Sequence, residues 1–128
     1  MVIDSSAFVA MHFKEPGHER IFEKIAAAPI AVMGSSTLLE CAIVMTNRRK
    51  HDTSAAIQTS LRQLRVQILP FNEDHYYAAL SAFLRFGKGR HPAALNFGDC
   101  MSYAVAAVSG FPLLYTGTDF AQTDIRAA

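Results

Sequence analysis

The sequence has no tryptophan and only two cysteines in 128 residues. Cys41 and Cys100 each follow an acidic residue, and neither stands in a CxxC or finger-type spacing. That excludes a secreted disulfide framework and a thiolate zinc centre, and reads both thiols as small core residues of apolar helices. Charge is sparse too. Charged residues make up 18% of the chain, against ~25% in a typical domain. Twelve basic and 11 acidic residues leave a net charge of +1, so no global field marks a nucleic-acid binder and any phosphate contact must come from a local patch. No apolar run approaches the ~18 residues that would span a bilayer. The N-terminus shows neither a basic segment nor a cleavable apolar stretch. The expectation is a soluble, cytoplasmic protein with no membrane partner.

What is present is a hydrophobic fraction of 51%, enough to build the core of one domain over residues 1–128. Little charge and many apolar side chains also point to surface hidden in an oligomer, read here as a homodimer. Short apolar runs alternate with amphipathic segments. Met1 to Ile3 reads as a buried strand closed by Asp4, with Ser5 and Ser6 capping a helix over Ala7 to Phe13. His18 to Ala28 is a second helix, Ile30 to Met33 a second strand, and Ser35 opens a third helix ending in Arg48-Arg49-Lys50-His51. Its apolar arc is Leu38, Leu39, Ala42, Ile43, Met45 and Thr46. A helix from Asp52 or Thr53 to about Arg65 points Ala56, Ile57, Leu61 and Leu64 inward. Val66 to Phe71 is a strand that Pro70 ends or puts at an edge. Asn72 caps a helix to Phe86 whose Tyr76, Tyr77, Leu80, Phe83 and Leu84 read as packing residues. No repeat or linker interrupts this order, so the fold class is α/β, a three-layer α/β/α domain with a mainly parallel sheet.

Four carboxylates stand out against this background. Asp99 lies in the first turn of an almost wholly apolar helix, where an unpartnered charge is expensive. Asp4 and Asp119 both follow apolar strands, which in a parallel sheet emerge on one edge. Glu40 lies near the start of a helix entered from that edge. Each has a plainer reading. Asn96 and Asp99 make a capping box with Asp in place of the usual Glu, Asp4 and Asp119 are turn or cap formers, and Glu40 is a solvated helical glutamate. As a set, with no lysine or arginine nearby in sequence, they repel unless a hard divalent cation joins them. Mg²⁺ or Mn²⁺ suits oxygen ligands of this kind, and such a site suits phosphoryl chemistry. Gly87-Lys88-Gly89-Arg90-His91-Pro92 is a basic, glycine-hinged loop leading into the Asp99 helix, and makes Lys88, Arg90 and His91 the candidate phosphate contacts.

Four blocks carry a family resemblance: Met1-Val2-Ile3-Asp4-Ser5-Ser6-Ala7, Leu39-Glu40, Leu95-Asn96-Phe97-Gly98-Asp99-Cys100 and Gly117-Thr118-Asp119-Phe120. Together they resemble the PIN-domain ribonucleases, and within them the VapC toxins of bacterial type II toxin–antitoxin pairs. The resemblance spans the chain and implies a PIN-like α/β/α nuclease domain. It implies a Mg²⁺-dependent endoribonuclease that cleaves cellular RNA and is silenced by a cognate VapB-type antitoxin. It makes Asp4, Glu40, Asp99 and Asp119 the catalytic and metal-binding residues, with Ser6 as a nearby hydroxyl and Asp124 at a position the subgroup often keeps acidic. Thr116 departs from the lysine that relatives often carry before the glycine. The rival reading of the same chain is a catalytically inactive PIN-like module that binds RNA or protein.

Overall fold

A computed structural model describes residues 1–128. Four short strands, β1 (Val2–Ile3), β2 (Ala31–Gly34), β3 (Val66–Leu69) and β4 (Leu113–Leu114), form one sheet in the order β3-β2-β1-β4. Every pairing is parallel. Six helices complete the chain: α1 (Ser5–His12), α2 (His18–Ala27), α3 (Ser35–Arg49), α4 (Ser54–Gln63), α5 (Glu73–Phe86) and α6 (Phe97–Ser109). A single 3-10 turn runs from Asp119 to Gln122.

Alternation along the strands divides the core in two. Ile3, Ala31, Met33 and Leu114 join residues of α1 to α4, among them Phe8, Ile25, Cys41, Met45 and Ile57. Val2, Val32 and Leu113 face the other way, onto Ala79 and Ala82 of α5 and Cys100, Tyr103, Ala104 and Val105 of α6. A parallel sheet covered on both faces by helices is the expected three-layer arrangement, here with no antiparallel strand at all. β3 stops before Pro70 at the sheet edge, where a residue without an N–H does no harm. Both cysteines are free and buried, as core residues should be. No helix is long and apolar enough to cross a membrane.

Three expectations about inward faces need correcting. In α3 the buried positions are Thr37, Cys41 and Met45, whereas Leu39 and Ile43 are 62% and 53% exposed. Thr37 takes a core position because its hydroxyl meets that of Ser102 on α6 at 3.2 Å, satisfying both groups. In α5 the buried residues are His75, Ala79 and Ala82, while Tyr76, Tyr77, Leu80, Phe83 and Leu84 all face outward. Small alanines let α5 lie close against α6, and the bulky side chains are pushed to the rim. In α4 Ile57, Leu61 and Leu64 do point inward, but Ala56 is exposed. Helix α1 also starts two residues earlier than expected, because Asp4 rather than Ser5 or Ser6 is its N-cap.

Gly34 sits where β2 meets α3 with an ordinary extended backbone (φ −69°). It is glycine for space: a Cβ there would lie 2.8 Å from Val105 Cγ2 of α6. Gly34→Ala should therefore destabilise the fold by ~1–3 kcal/mol through overpacking. Combining it with Val105→Ala should cost less than the sum of the two single changes. Chemical denaturation of the four proteins reads both effects.

Candidate functional site

The C-terminal ends of β1 and β4 and the starts of α1, α3 and α6 meet on one edge of the sheet. Asp4 follows β1, its backbone N–H donating to Leu114 O of β4 at 2.9 Å. Its side chain is 2% exposed and its two oxygens differ. Oδ2 accepts from Ser6 N at 2.9 Å and from Ser6 Oγ at 2.5 Å, the usual work of an N-cap. Oδ1 is buried and has no hydrogen-bond partner. Capping and a ligand role are thus compatible, because each uses a different oxygen. Ser6 Oγ also accepts from Thr116 N at 3.0 Å, tying the loop after β4 to Asp4. At position 116 it is the backbone that takes part.

Glu40 comes from the second turn of α3 and is half-buried. Its carboxylate lies against Gly98 in the first turn of α6, and Oε2 is a second buried oxygen without a partner. Burial raises its pKa, the Ser5 hydroxyl opposes that rise, and the charge of Asp4 adds to it. Asp99 completes a capping box: Asn96 N donates to its Oδ2 at 2.8 Å, and its own N–H donates to Asn96 Oδ1 at 2.9 Å. Even so its pKa is pushed up to about 6, first by burial and then, against the Asn96 bond, by the charges of Asp4, Asp119 and Glu40. Asp119 opens the 3-10 turn and is exposed. The same charges reach Cys41, whose thiol is driven upward by burial and by Asp4 and Glu40.

All four acids therefore share one electrostatic neighbourhood. None of the three ion pairs in the chain involves them. They do not form a closed cage, since no three His, Cys, Asp or Glu side chains converge closely enough to hold an ion. Two orphaned carboxylate oxygens and a carboxyl raised by its neighbours nevertheless fit a hard divalent cation. Mg²⁺ suits an open site of this type, because it keeps several waters and is bound through few carboxylates. The absence of any histidine or thiolate among the four acids fits oxygen-preferring Mg²⁺ or Mn²⁺ over zinc.

Asp124 lies elsewhere. Arg85 Nη2 donates to its Oδ2 at 2.6 Å and the Tyr103 hydroxyl to its Oδ1 at 2.6 Å. The Tyr103 bond and the Arg85 charge hold its carboxyl below the usual range. With both oxygens engaged, it clamps the C-terminal segment to α5 and α6. The 87–92 loop closes on itself, with Lys88 N donating to Leu95 O and Leu95 N to Phe86 O, both at 3.0 Å. That delivers the chain to Asn96 directly beside the acids. Lys88 and Arg90 are exposed, the Arg90 guanidinium lying 5.5 Å from the centre of the Phe83 ring. His91 instead accepts from Ala93 N through Nδ1 at 3.1 Å and meets Phe86 edge-on, so it shapes the loop. Sequence reasoning missed Ser5 and Gly98 as neighbours of Glu40. The available signal for the second was a glycine in a first helical turn where no turn required one.

The PIN domain family model matches residues 1–126. The chain belongs to the PIN domain family. Curated relatives include a protein of Mycolicibacterium smegmatis named Ribonuclease VapC, 42% identical over 99% of this chain and 98% of its own length. Ribonuclease VapC30 of Mycobacterium tuberculosis is also 42% identical, over 98% and 95%. Among solved structures, the sarcin-ricin loop cleaving toxin VapC20 of Mycobacterium tuberculosis aligns with a TM-score of 0.78 at 17% identity, covering 99% of this chain and 97% of that one. A toxin-antitoxin complex from Klebsiella pneumoniae gives 0.70 at 16% identity, covering 96% and 92%. These structural likenesses establish the PIN fold.

In this PIN domain, the negative charge on Asp99, as distinct from its capping bonds, works against folding. A carboxyl in the unfolded chain ionises near ~3.9, whereas the folded one holds its proton to about 6. The native state binds more protons across that window, so the stability of the metal-free protein falls as pH rises through it. Asp99→Asn keeps a capping oxygen and removes the charge. At neutral pH without metal it should melt at or above the wild-type temperature, and its stability should change less with pH. Thermal melts across the acid range read this directly.

Proposed function

We propose that this PIN domain is a Mg²⁺-dependent endoribonuclease, with Mn²⁺ able to substitute, acting as the toxin of a type II toxin–antitoxin pair. The observation that carries the reading is the pair of buried, unpartnered carboxylate oxygens, Asp4 Oδ1 and Glu40 Oε2, beside a carboxyl raised by its acidic neighbours. Relatives at 42% identity that carry the name ribonuclease support it. Asp4, Glu40, Asp99 and Asp119 would hold the ion. Bound there, Mg²⁺ supplies a more acidic attacking water and neutralises charge on a phosphodiester.

The chain's own groups prepare that place. Ser6, itself held by Thr116 N, fixes Asp4 through one oxygen and leaves the other free. Asn96 fixes Asp99 at the helix start. Lys88 and Arg90, on the loop feeding α6, meet the RNA backbone, giving a local cationic contact on a chain of nearly zero net charge. The partners are an RNA substrate, a VapB-type antitoxin and a second copy of the chain. Two apolar grooves meet at Phe97 and Met101. One, of about 340 Å³, is lined by Tyr76, Leu80, Phe83, Phe97 and Met101 among others, and the other, of about 230 Å³, by Leu39, Ile43, Phe97 and Met101 beside Glu40. Phe97, 79% exposed, stands between them. So much uncovered apolar surface supports burial by partners.

Purified, antitoxin-free protein should cut cellular RNA with Mg²⁺ or Mn²⁺ and stop with EDTA. Asp99→Asn should lose activity by on the order of 100-fold while circular dichroism shows an unchanged fold. Wild-type protein that binds RNA without cutting it under any divalent metal would leave the inactive binding module as the correct reading.

Replacing Lys88 and Arg90 together by alanine should weaken RNA binding and reduce the slope of log affinity against log salt by roughly 1.5. An unchanged slope would make the loop a connector. Light scattering at tens of micromolar should show a dimer, and a strict monomer would remove the second copy from the partners.

A further inference from the structure

Three glycines of this chain occupy close contacts: Gly87 meets the carbonyl and ring of Phe83 in the helix before it, whereas Gly34 and Gly98 face side chains of other elements. Gly34 faces a core methyl of Val105, so a side chain there strains the packing. Gly98, the second residue of α6, faces a functional carboxylate. Its backbone does not require glycine, since it is not among the positive-φ residues. Alanine would be the better helix former at such a position. Yet a Cβ built at 98 would fall against Glu40 Oε1 and within 2.7 Å of Glu40 Cδ and Oε2. The three atoms nearest to it all belong to that one carboxyl group. No backbone or core side chain stands among them.

We propose that Gly98 is a positioning residue for Glu40. Its missing side chain leaves a flat seat on the first turn of α6 on which the Glu40 carboxylate rests, next to Asp99. Any side chain at 98 drives that carboxylate away from this seat. Only the far end of a flexible side chain has to yield, so the fold survives the change and the geometry of the site does not. The exposed Leu39, Ile43 and Phe97 around the groove leave the displaced carboxylate free to swing outward. The functional consequence rests on the nuclease reading above, while the seat itself is a property of the chain.

Gly98→Ala tests this with four measurements. Its metal-free melt should match or exceed that of wild type. Calorimetric titration with Mn²⁺ alone should show an affinity loss of at least ~10-fold, as for other groups that orient ligands. RNA cleavage should fall by a similar factor in kcat with little change in KM. A crystal structure of the metal-free variant should show the Glu40 carboxylate moved off residue 98. In a Glu40→Ala background the same substitution should be silent, because Gly98 acts through Glu40 alone. A carboxylate still in place, an unchanged Mn²⁺ affinity, a clearly lowered melt, or an equal loss in the Glu40→Ala background each overturns the proposal. A wild type that cuts no RNA overturns the nuclease reading instead, and the position of Glu40 in the variant still decides whether Gly98 is its seat.

Discussion

Asp4 enters the structure as a carboxylate with two unequal oxygens, and the arrangement around it follows from that inequality. One oxygen starts α1 by accepting from Ser6, and through the Ser6 hydroxyl it reaches the backbone of Thr116 after β4. The other is buried with nothing to accept. A buried, unsatisfied carboxylate oxygen is costly in a finished interior. It becomes intelligible when Glu40 and Asp99 are brought up beside it. Three helix starts and two strand ends are needed to do that, and the parallel sheet with its helical crossovers supplies them on one edge.

The energetics of this edge run against the rest of the molecule. Away from the helix starts on this edge, where Ser36 Oγ is also unpartnered, polar groups find partners: Thr37 meets Ser102 in the core, His75 closes a capping box with Asn72, and at the surface Asp124 is held by Arg85 and Tyr103. At the acidic edge, burial and like charge combine to raise Asp99 and Glu40 instead. Two well-covered hydrophobic layers on either side of the sheet provide the stability that tolerates this. Perturbed groups concentrated in one place of an otherwise satisfied fold mark where chemistry is to be sought.

Much of the architecture was legible in the order of residues. Alternating short apolar runs and amphipathic segments specified a parallel α/β sheet, Asn72 and Asn96 marked two helix starts, and Pro70 marked the end of an edge strand. The joint placement of Asp4, Glu40, Asp99 and Asp119 on one edge followed from strand ends and helix starts, because connectivity in a parallel sheet leaves few alternatives. The inward faces of α3 and α5 were not legible. Bulky apolar residues define an amphipathic arc by composition, but small ones decide how closely two helices approach. Ala79 and Ala82 against α6 therefore displaced Tyr76, Leu80 and Phe83 to the surface.

By itself the sequence determined the class of fold, the capped starts of α5 and α6 and which carboxylates lie at the ends of strands, since all of these depend on neighbours along the chain. Only the tertiary structure decided the state of each oxygen. That Asp4 Oδ1 is buried without a partner, that Asp124 is neutralised by Arg85, and that residue 98 carries no side chain are matters of contact between elements distant in the chain. Those contacts join residues tens of positions apart, and their energies depend on distances of a few ångströms that no pattern of residue types encodes.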